Sequence, residues 1–148
     1  MKEIDKRLEY AKKFVEGAGK ILLKKFKKGK AEAHIIGSIF NKFPEDSILA
    51  DQSGEINVKN SKYCWVIDPI IEQKHFFLSL AIKSDIEVEG AVVYIPELKR
   101  LYTNENIKIL SSQKSEIESF NNIFNKENKE KMKGVTYIYE LLELNKNE

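Results

Sequence analysis

The first quarter of the chain repeats apolar residues with the period of an α-helix. They recur at spacings of three and four from Ile4 to Leu22, with lysines between them, which predicts a helix over residues 3–26. Gly17 and Gly19 favour close packing of this helix against a neighbour, at some loss of helix propensity. A second helix is predicted over residues 30–42, ending before Phe43-Pro44 because proline disfavours helical geometry in the preceding residue. Its apolar side is expected to comprise Ala31, Ile35, Ile36, Ile39 and Phe40.

After residue 46 the pattern changes to short β-prone runs. Strands are predicted at 47–50, 63–67, 76–83, 86–95, 100–103 and 107–110, with a turn at Ser84-Asp85. Consecutive strands joined by tight turns predict an antiparallel sheet, so two N-terminal helices should pack on one of its faces. We therefore expect one α+β domain over residues 1–148, with a core at 1–112 and a helical tail at 113–148.

The tail is predicted to hold helices at about 114–125 and 134–145. The second of these carries too many apolar residues for a solvated helix. We expect it to dock on the sheet or on another subunit.

Composition describes a soluble globular protein, with 42% hydrophobic and 32% charged residues and no apolar run long enough to span a bilayer. The single cysteine, Cys64, cannot form an internal disulfide, which fits a reducing cytoplasm, and its apolar strand predicts that it is buried. The sequence therefore favours a cytoplasmic protein without a membrane partner.

The net charge of +2 is unevenly distributed, since residues 1–30 sum to +7 and residues 31–148 to −5. A basic first helix could attract nucleic acid or an acidic partner. A solvated helix face is the simpler interpretation, and no nucleic-acid motif accompanies the lysines. Nucleic acid is therefore not expected as a partner.

Candidate chemistry begins where the apolar run Trp65-Val66-Ile67 meets Asp68-Pro69. Proline fixes its own φ and pushes the residue before it towards extended geometry, which predicts Asp68 at a strand end on a stiff turn. A carboxylate at the mouth of a buried strand is where a metal-dependent phosphatase would place a ligand.

Several ordered segments resemble the inositol monophosphatase family. They are Ala18–Leu23, Phe43–Gly54, Trp65–Ile70, Ser79–Ile82 and Gly90–Pro96, with Trp-Val-Ile-Asp-Pro-Ile at the centre. The resemblance covers about residues 8–112, the N-terminal α+β domain of that family. It implies hydrolysis of phosphate monoesters by magnesium ions that activate a water and clamp the phosphate.

The residues that would hold this magnesium are only partly retained. Asp51-Gln52 stands where the family has an E-E-S-like turn, so one shorter carboxylate remains there. In the family's D-P-I-D-G-T segment, Asp68 is kept and Ile70 still offers a main-chain carbonyl. The resemblance therefore implies a vestigial metal set of Asp51, Asp68, Ile70 and Glu72, with magnesium as the cofactor only if a site survives.

The remaining positions of that segment are replaced. Ile71 stands for the second aspartate, Glu72 for the glycine and Gln73 for the threonine that orients the attacking water. Isoleucine cannot bind a metal and would desolvate nearby charges, while Glu72 is one position out of register. No catalytic residue is therefore assigned.

The family's ligand-side loops also look shortened. The segment before the second helix, with its V-T-x-x-D motif, is shorter, and Lys28 falls near that aspartate. The substrate-side loop after Phe76 is missing, and a glycine-rich hairpin loop is trimmed to residues 103–106. The family's C-terminal domain is expected to be absent, with the helix at Val135–Leu144 as its candidate remnant.

Three functional interpretations follow from this pattern. The favoured one is a non-catalytic member (a pseudoenzyme) that associates through an apolar sheet edge or face, as a homo-oligomer such as a homodimer or with a heteromeric protein partner. The alternative is a residual magnesium-dependent phosphatase that uses Asp51, Asp68 and Glu72. A third is an anion-binding module built on Lys74, His75 and the basic helix, for which solvated charges are the simpler interpretation.

Overall fold

The computed structural model describes residues 2–25, 27–50, 53–72, 75–104 and 133–146. None of the helices in these ranges is long and apolar enough to cross a bilayer. The strand predicted at 107–110 and the helix predicted at 114–125 lie outside the described residues. The described elements, in chain order, are α1 (Glu3–Lys25), α2 (Lys28–Lys42), β1 (Ser47–Ala50), β2 (Gly54–Ile56), β3 (Cys64–Glu72), β4 (His75–Lys83), β5 (Val88–Ile95), a 3-10 turn (Pro96–Leu98), β6 (Arg100–Thr103) and α3 (Lys133–Lys146).

The two N-terminal helices lie where the apolar spacing predicts them, and each buries one stripe of side chains. The backbone N–H of Phe43 closes α2 by donating to the carbonyl of Ile39, directly before Pro44. This end of the helix is the one expected from the proline. The buried stripes are Leu8, Ala11, Val15, Ala18 and Leu22 in α1 and Ala31, Ile35 and Ile39 in α2.

Two side chains are more exposed than the sequence predicts. Phe40 is 62% exposed, because successive helix residues lie about 100° apart and Phe40 falls beyond the stripe that ends at Ile39. Cys64 is only partly buried, since it opens β3 beside a small surface cleft that Lys83 and Ser84 also line. The expected burial of both residues is therefore wrong.

The predicted close packing around Gly17 and Gly19 is confirmed. A Cβ atom at Gly17 would lie 2.7 Å from the Nε2 atom of His34 in α2, and one at Gly19 would lie 2.8 Å from the Cε2 atom of Tyr94 in β5. Both distances are shorter than a carbon contact allows. Glycine at these positions therefore brings α1 close to both α2 and the sheet.

The strands form one six-stranded sheet in the order β2-β1-β3-β4-β5-β6. Neighbouring strands are antiparallel as predicted, except that β1 and β3 are parallel. The sheet is therefore mixed, and the reason is β2, a strand that the sequence analysis did not predict. Because β2 returns the chain to the starting end of β1, β3 then runs in the direction of β1.

Helices cover both faces of the sheet. Side chains alternate between the faces along each strand, so Trp65 and Ile67 pack under α1 and α2 while Val66 packs under α3. Val135 and Ile138 of α3 are fully buried against this second face. The predicted docking of the last helix is confirmed, and the apolar face expected to bind another chain is covered here by α3.

Candidate functional site

Asp68 lies inside a strand, so the expectation that it occupies a strand end is wrong. β3 continues to Glu72, and its pairing with β4 is unbroken from Asp68 opposite Ser79 to Glu72 opposite His75. This follows from the short connection, because β4 begins only three residues after Glu72. The segment with the retained aspartate is therefore one arm of a β-hairpin.

Pro69 fits this strand because β3 has few neighbours there. In the described residues, β1 pairs with β3 only as far as Ile67, whereas β4 pairs with β3 along its whole length. Proline removes one backbone donor, and this is tolerated where a strand has a neighbour on one side only. Pro69 is thus a strand residue and does not form the predicted stiff turn.

The first turn of α3 lies over the cross-strand pair of Asp68 and Ser79. Gly134 contacts Ser79 so closely that a Cβ atom at position 134 would collide with the Ser79 Oγ atom. Ser79 is 1% exposed, and the Oδ2 atom of Asp68 is also buried. The first turn of α3 therefore covers the residue opposite Asp68 in the strand ladder.

The other predicted metal ligands fall partly outside the described structure. Asp51 and Gln52 are not described, and of Ile70 and Glu72 only the backbone is described, as part of β3. Among the described residues, no group of three histidine, cysteine, aspartate or glutamate side chains is placed to hold a metal ion. Asp68 in its hairpin, under α3, does not fit an open magnesium site of several converging oxygens. The vestigial metal set therefore stays a prediction.

Glu32 holds the chain just after β1, a role that the sequence analysis missed. Its side chain is fully buried in α2, and its Oε1 atom accepts the backbone N–H of Ser53 at 2.8 Å. A buried carboxylate normally requires such a donor. The available signal was a glutamate directly after Ala31, a residue of the buried stripe of α2.

A buried ion pair at the opposite end of β1 was also missed. Asp46 accepts hydrogen bonds from the Nε and Nη2 atoms of Arg7, at 2.7 and 2.9 Å, and from the Nε1 atom of Trp65 at 2.7 Å. The guanidinium carbon of Arg7 lies 4.6 Å from the ring centre of Phe43 and 4.4 Å from that of Tyr63. The signal was an arginine next to the buried stripe of α1.

The pKa of Arg7 reflects its buried pair with Asp46. Burial disfavours the charged form of Arg7, but the hydrogen bonds and charge of Asp46, with the charge of Glu45, outweigh it and raise the pKa of Arg7 above its ordinary value. Two parallel hydrogen bonds between guanidinium and carboxylate are among the strongest in proteins. The group joins α1 to the starts of β1 and β3, so it stabilises the fold.

A cleft of about 400 Å³ separates α3 from the start of β5. Tyr137 lines it, and the Tyr137 hydroxyl accepts a hydrogen bond at 2.9 Å from Asn104, whose amide also pairs with the edge of β5. Burial raises the pKa of Tyr137. Asp68 is not among the described residues that line this cleft. Its lining residues are Glu87, Val88, Lys133, Thr136, Tyr137 and Glu140.

Comparison with known proteins shows which family this chain resembles. The inositol monophosphatase family model matches residues 27–119. The Nus factor SuhB of Escherichia coli K12 is 36% identical over 80 residues, which is 49% of this chain and 30% of that protein. SuhB of Vibrio cholerae is 34% identical over the same length. The chain thus spans about a third of these curated relatives.

Solved structures agree at the level of the fold. An inositol monophosphatase from Anabaena (Nostoc) sp. PCC 7120 superposes with a TM-score of 0.60 at 23% identity, covering 69% of this chain and 44% of that one. SuhB of Bartonella henselae superposes with a TM-score of 0.54 at 21% identity, covering 63% of this chain and 45% of that one.

A staphylococcal inositol monophosphatase with inositol monophosphate bound superposes with a TM-score of 0.55 at 20% identity, covering 64% of this chain and 42% of that one. Because the family model matches more than half of the chain, the resemblance is confirmed. The chain belongs to the inositol monophosphatase family.

Proposed function

We propose that this chain is a non-catalytic member of the family that acts by association with other protein chains. The observation that supports the absence of catalysis is the unbroken pairing of β3 with β4 from Asp68 to Glu72. A metal-binding turn must leave several oxygens free to converge on the ion, whereas here the same segment is committed to a strand ladder.

The residue types in this segment support the same conclusion. Mg²⁺ takes oxygen ligands in near-octahedral geometry, and Ile71 has no side-chain oxygen. Gln73 has no hydroxyl with which to orient a water, and Glu72 replaces a glycine. The segment keeps two carboxylates, Asp68 and Glu72, and Glu72 is one position out of register with the family's second aspartate, so the segment supplies too few ligands for a magnesium centre.

The position of α3 adds a second support. Gly134 packs on Ser79, the cross-strand partner of Asp68, and the Oδ2 atom of Asp68 is buried. A buried carboxylate oxygen is not open to a hydrated metal ion and a substrate phosphate. The curated relatives with matching segments are named Nus factor rather than after a reaction, which is compatible with action through association.

A phosphatase assay tests the absence of catalysis. Inositol monophosphate would be incubated with the chain and with the Asp68→Asn variant, with and without Mg²⁺, beside an active family member as control. We expect no magnesium-dependent turnover and no difference between the two proteins. Turnover that needs Mg²⁺ and disappears in Asp68→Asn would instead support the alternative, a residual phosphatase that uses Asp51, Asp68 and Glu72.

Light scattering coupled to size exclusion tests association of the chain with itself. A homo-oligomer would show a multiple of the chain mass between about 10 and 100 μM, because interfaces of standard size have dissociation constants of micromolar or below. A single monomer peak throughout this range would contradict the homodimer and restrict the proposal to a heteromeric partner.

A further inference from the structure

The exposed side of α1 carries its lysines in one row. Lys6, Lys13, Lys20 and Lys24 are all exposed, and their spacings of seven and four residues place them on one side of the helix. At 1.5 Å per residue, the first three are about 10.5 Å apart along the helix axis. The exposed acidic residues Glu9 and Glu16 lie on the same side of the helix, three or four residues from the nearest lysines of the row.

α2 extends this row with further positive charge. The Nζ atoms of Lys13 and Lys42 lie 5.1 and 4.6 Å from the ring centre of Tyr10. The sequence of α2 holds a single carboxylate, Glu32, and that side chain is buried. No carboxylate of α2 therefore reaches the surface beside these lysines.

The resulting surface, formed by Lys6, Lys13, Lys20, Lys24 and Lys42, is here called the lysine face. Within the described part of the chain, none of its five lysines forms an ion pair, whereas Lys12 pairs with Glu9 and Lys62 with Glu3. A hydrogen bond from Lys42, together with the charges of Lys42, Lys13 and Lys6, lowers the pKa of Tyr10. The five lysines outnumber the two neighbouring carboxylates, Glu9 and Glu16, so this surface keeps a net charge of +3.

The lysine face lacks what a protein partner normally needs. Protein interfaces are centred on buried aromatic or aliphatic anchors. In the described residues, the large exposed apolar side chains are Leu23, Phe40, Ile86 and Leu98, and none belongs to the lysine face. By helix position, Leu23 lies about 60–100° around α1 from the lysines of the row, and Phe40 lies about 160° around α2 from Lys42.

Contrary to the expectation from the sequence alone, we propose that the lysine face binds the phosphate backbone of nucleic acid, independently of base sequence. Closely spaced cations suffice for this, because counterion release supplies the free energy. Lys13 and Lys42 cover the ring of Tyr10, so bases do not stack on it and contact is made through phosphates. The charge of −5 on residues 31–148 repels the polyanion from the rest of the protein and orients it.

Fluorescence anisotropy with labelled 20-nucleotide RNA, single-stranded DNA and duplex DNA of random sequence tests the proposal. Between 50 and 200 mM NaCl, the logarithm of the binding constant for single strands should fall against log salt with a slope of about −3.5, since each neutralised phosphate contributes roughly 0.7. Comparing the three probes distinguishes RNA from DNA as the preferred backbone.

Paired variants separate the lysine face from net charge. Lys13→Ala/Lys20→Ala should weaken binding at least tenfold and reduce the slope by about 1.4, because two phosphate contacts are lost. Lys59→Ala/Lys133→Ala removes the same charge elsewhere from exposed positions and should leave binding within about twofold. Thermal melts of both variants show whether they are folded.

Three results would overturn the proposal. One is the absence of binding at 50 mM NaCl, and another is an equal loss of affinity in both double variants. The third is displacement of the RNA by polyglutamate at equal charge concentration, which would assign the lysine face to acidic protein segments.

Discussion

Gly134 in the first turn of α3 packs directly on the Oγ atom of Ser79, the β4 residue paired with Asp68 of β3. This contact couples the C-terminal helix to the strand segment that corresponds to the family's metal-binding region. Because the contact leaves no room for a Cβ atom, it depends on glycine and is open to a direct test.

Gly134→Ala should destabilise the protein by about 1–3 kcal/mol, since an added methyl group must move either α3 or the sheet. Chemical denaturation would measure this change in unfolding free energy. Gly37→Ala in α2 is the matched control, because a Cβ atom there meets nothing within 4 Å. The control should gain about 0.5–1 kcal/mol from helix propensity. Similar losses in both variants would contradict the close packing of α3 on Ser79.

Asp46 is predicted to be the most sensitive charged residue of the described structure. The side chains of Arg7 and Asp46 are 6% and 1% exposed, so Asp46→Ala would leave the guanidinium buried beside Trp65 without its carboxylate. Breaking a buried pair in this way costs about 3–5 kcal/mol.

The exposed pair Glu3–Lys62 provides the comparison for Asp46. The side chains of Glu3 and Lys62 are 61% and 69% exposed, and exposed ion pairs contribute little to stability. The Lys62→Ala variant should therefore unfold at nearly the same denaturant concentration as the unmodified chain. If Asp46→Ala unfolded there as well, the buried pair would not stabilise the fold.

Local pattern was sufficient to predict most of the elements, because each depends on nearby residues. The apolar spacing of α1, the proline that follows α2 and the β-prone runs of β4 and β5 each specify their own segment. β2 was missed because Gly54–Ile56 has only three residues and almost no burial, so it carries no periodic signal. The direction of β3 relative to β1 was then predicted incorrectly for the same reason.

The candidate site could not be predicted in the same way, since its geometry depends on pairing between distant residues. A proline after Asp68 suggested a turn, but the register with β4 extended the strand to Glu72. The buried partners of Asp46 lie 39 and 19 residues away along the chain, and hydrogen bonds over such separations have no local signature. Only the residue types, above all Ile71, indicated a degenerate site from the sequence.

Glu3 should titrate below its ordinary pKa of 4.5, because a hydrogen bond and the positive charge of Lys62 favour the carboxylate. A folded-state pKa below the unfolded value means that the pair stabilises the protein above about pH 4.5. This contribution is lost as the pH falls through the lowered pKa. Carboxyl NMR shifts would follow the titration. In Lys62→Ala the pKa should return towards 4.5, and an unchanged value would contradict the pairing.

Cys64 should react slowly with thiol reagents at neutral pH. Burial raises the pKa of its thiol above the ordinary 9.0, while the positive charge of Lys83, its cross-strand partner, opposes this shift. Since the thiolate is the reactive form, the rate of alkylation by iodoacetamide should keep rising beyond pH 9, later than for the urea-unfolded chain. Lys83→Ala removes the opposing charge and should move the rate profile to still higher pH. A profile identical to that of the unfolded chain would show that β3 does not shield the sulfur.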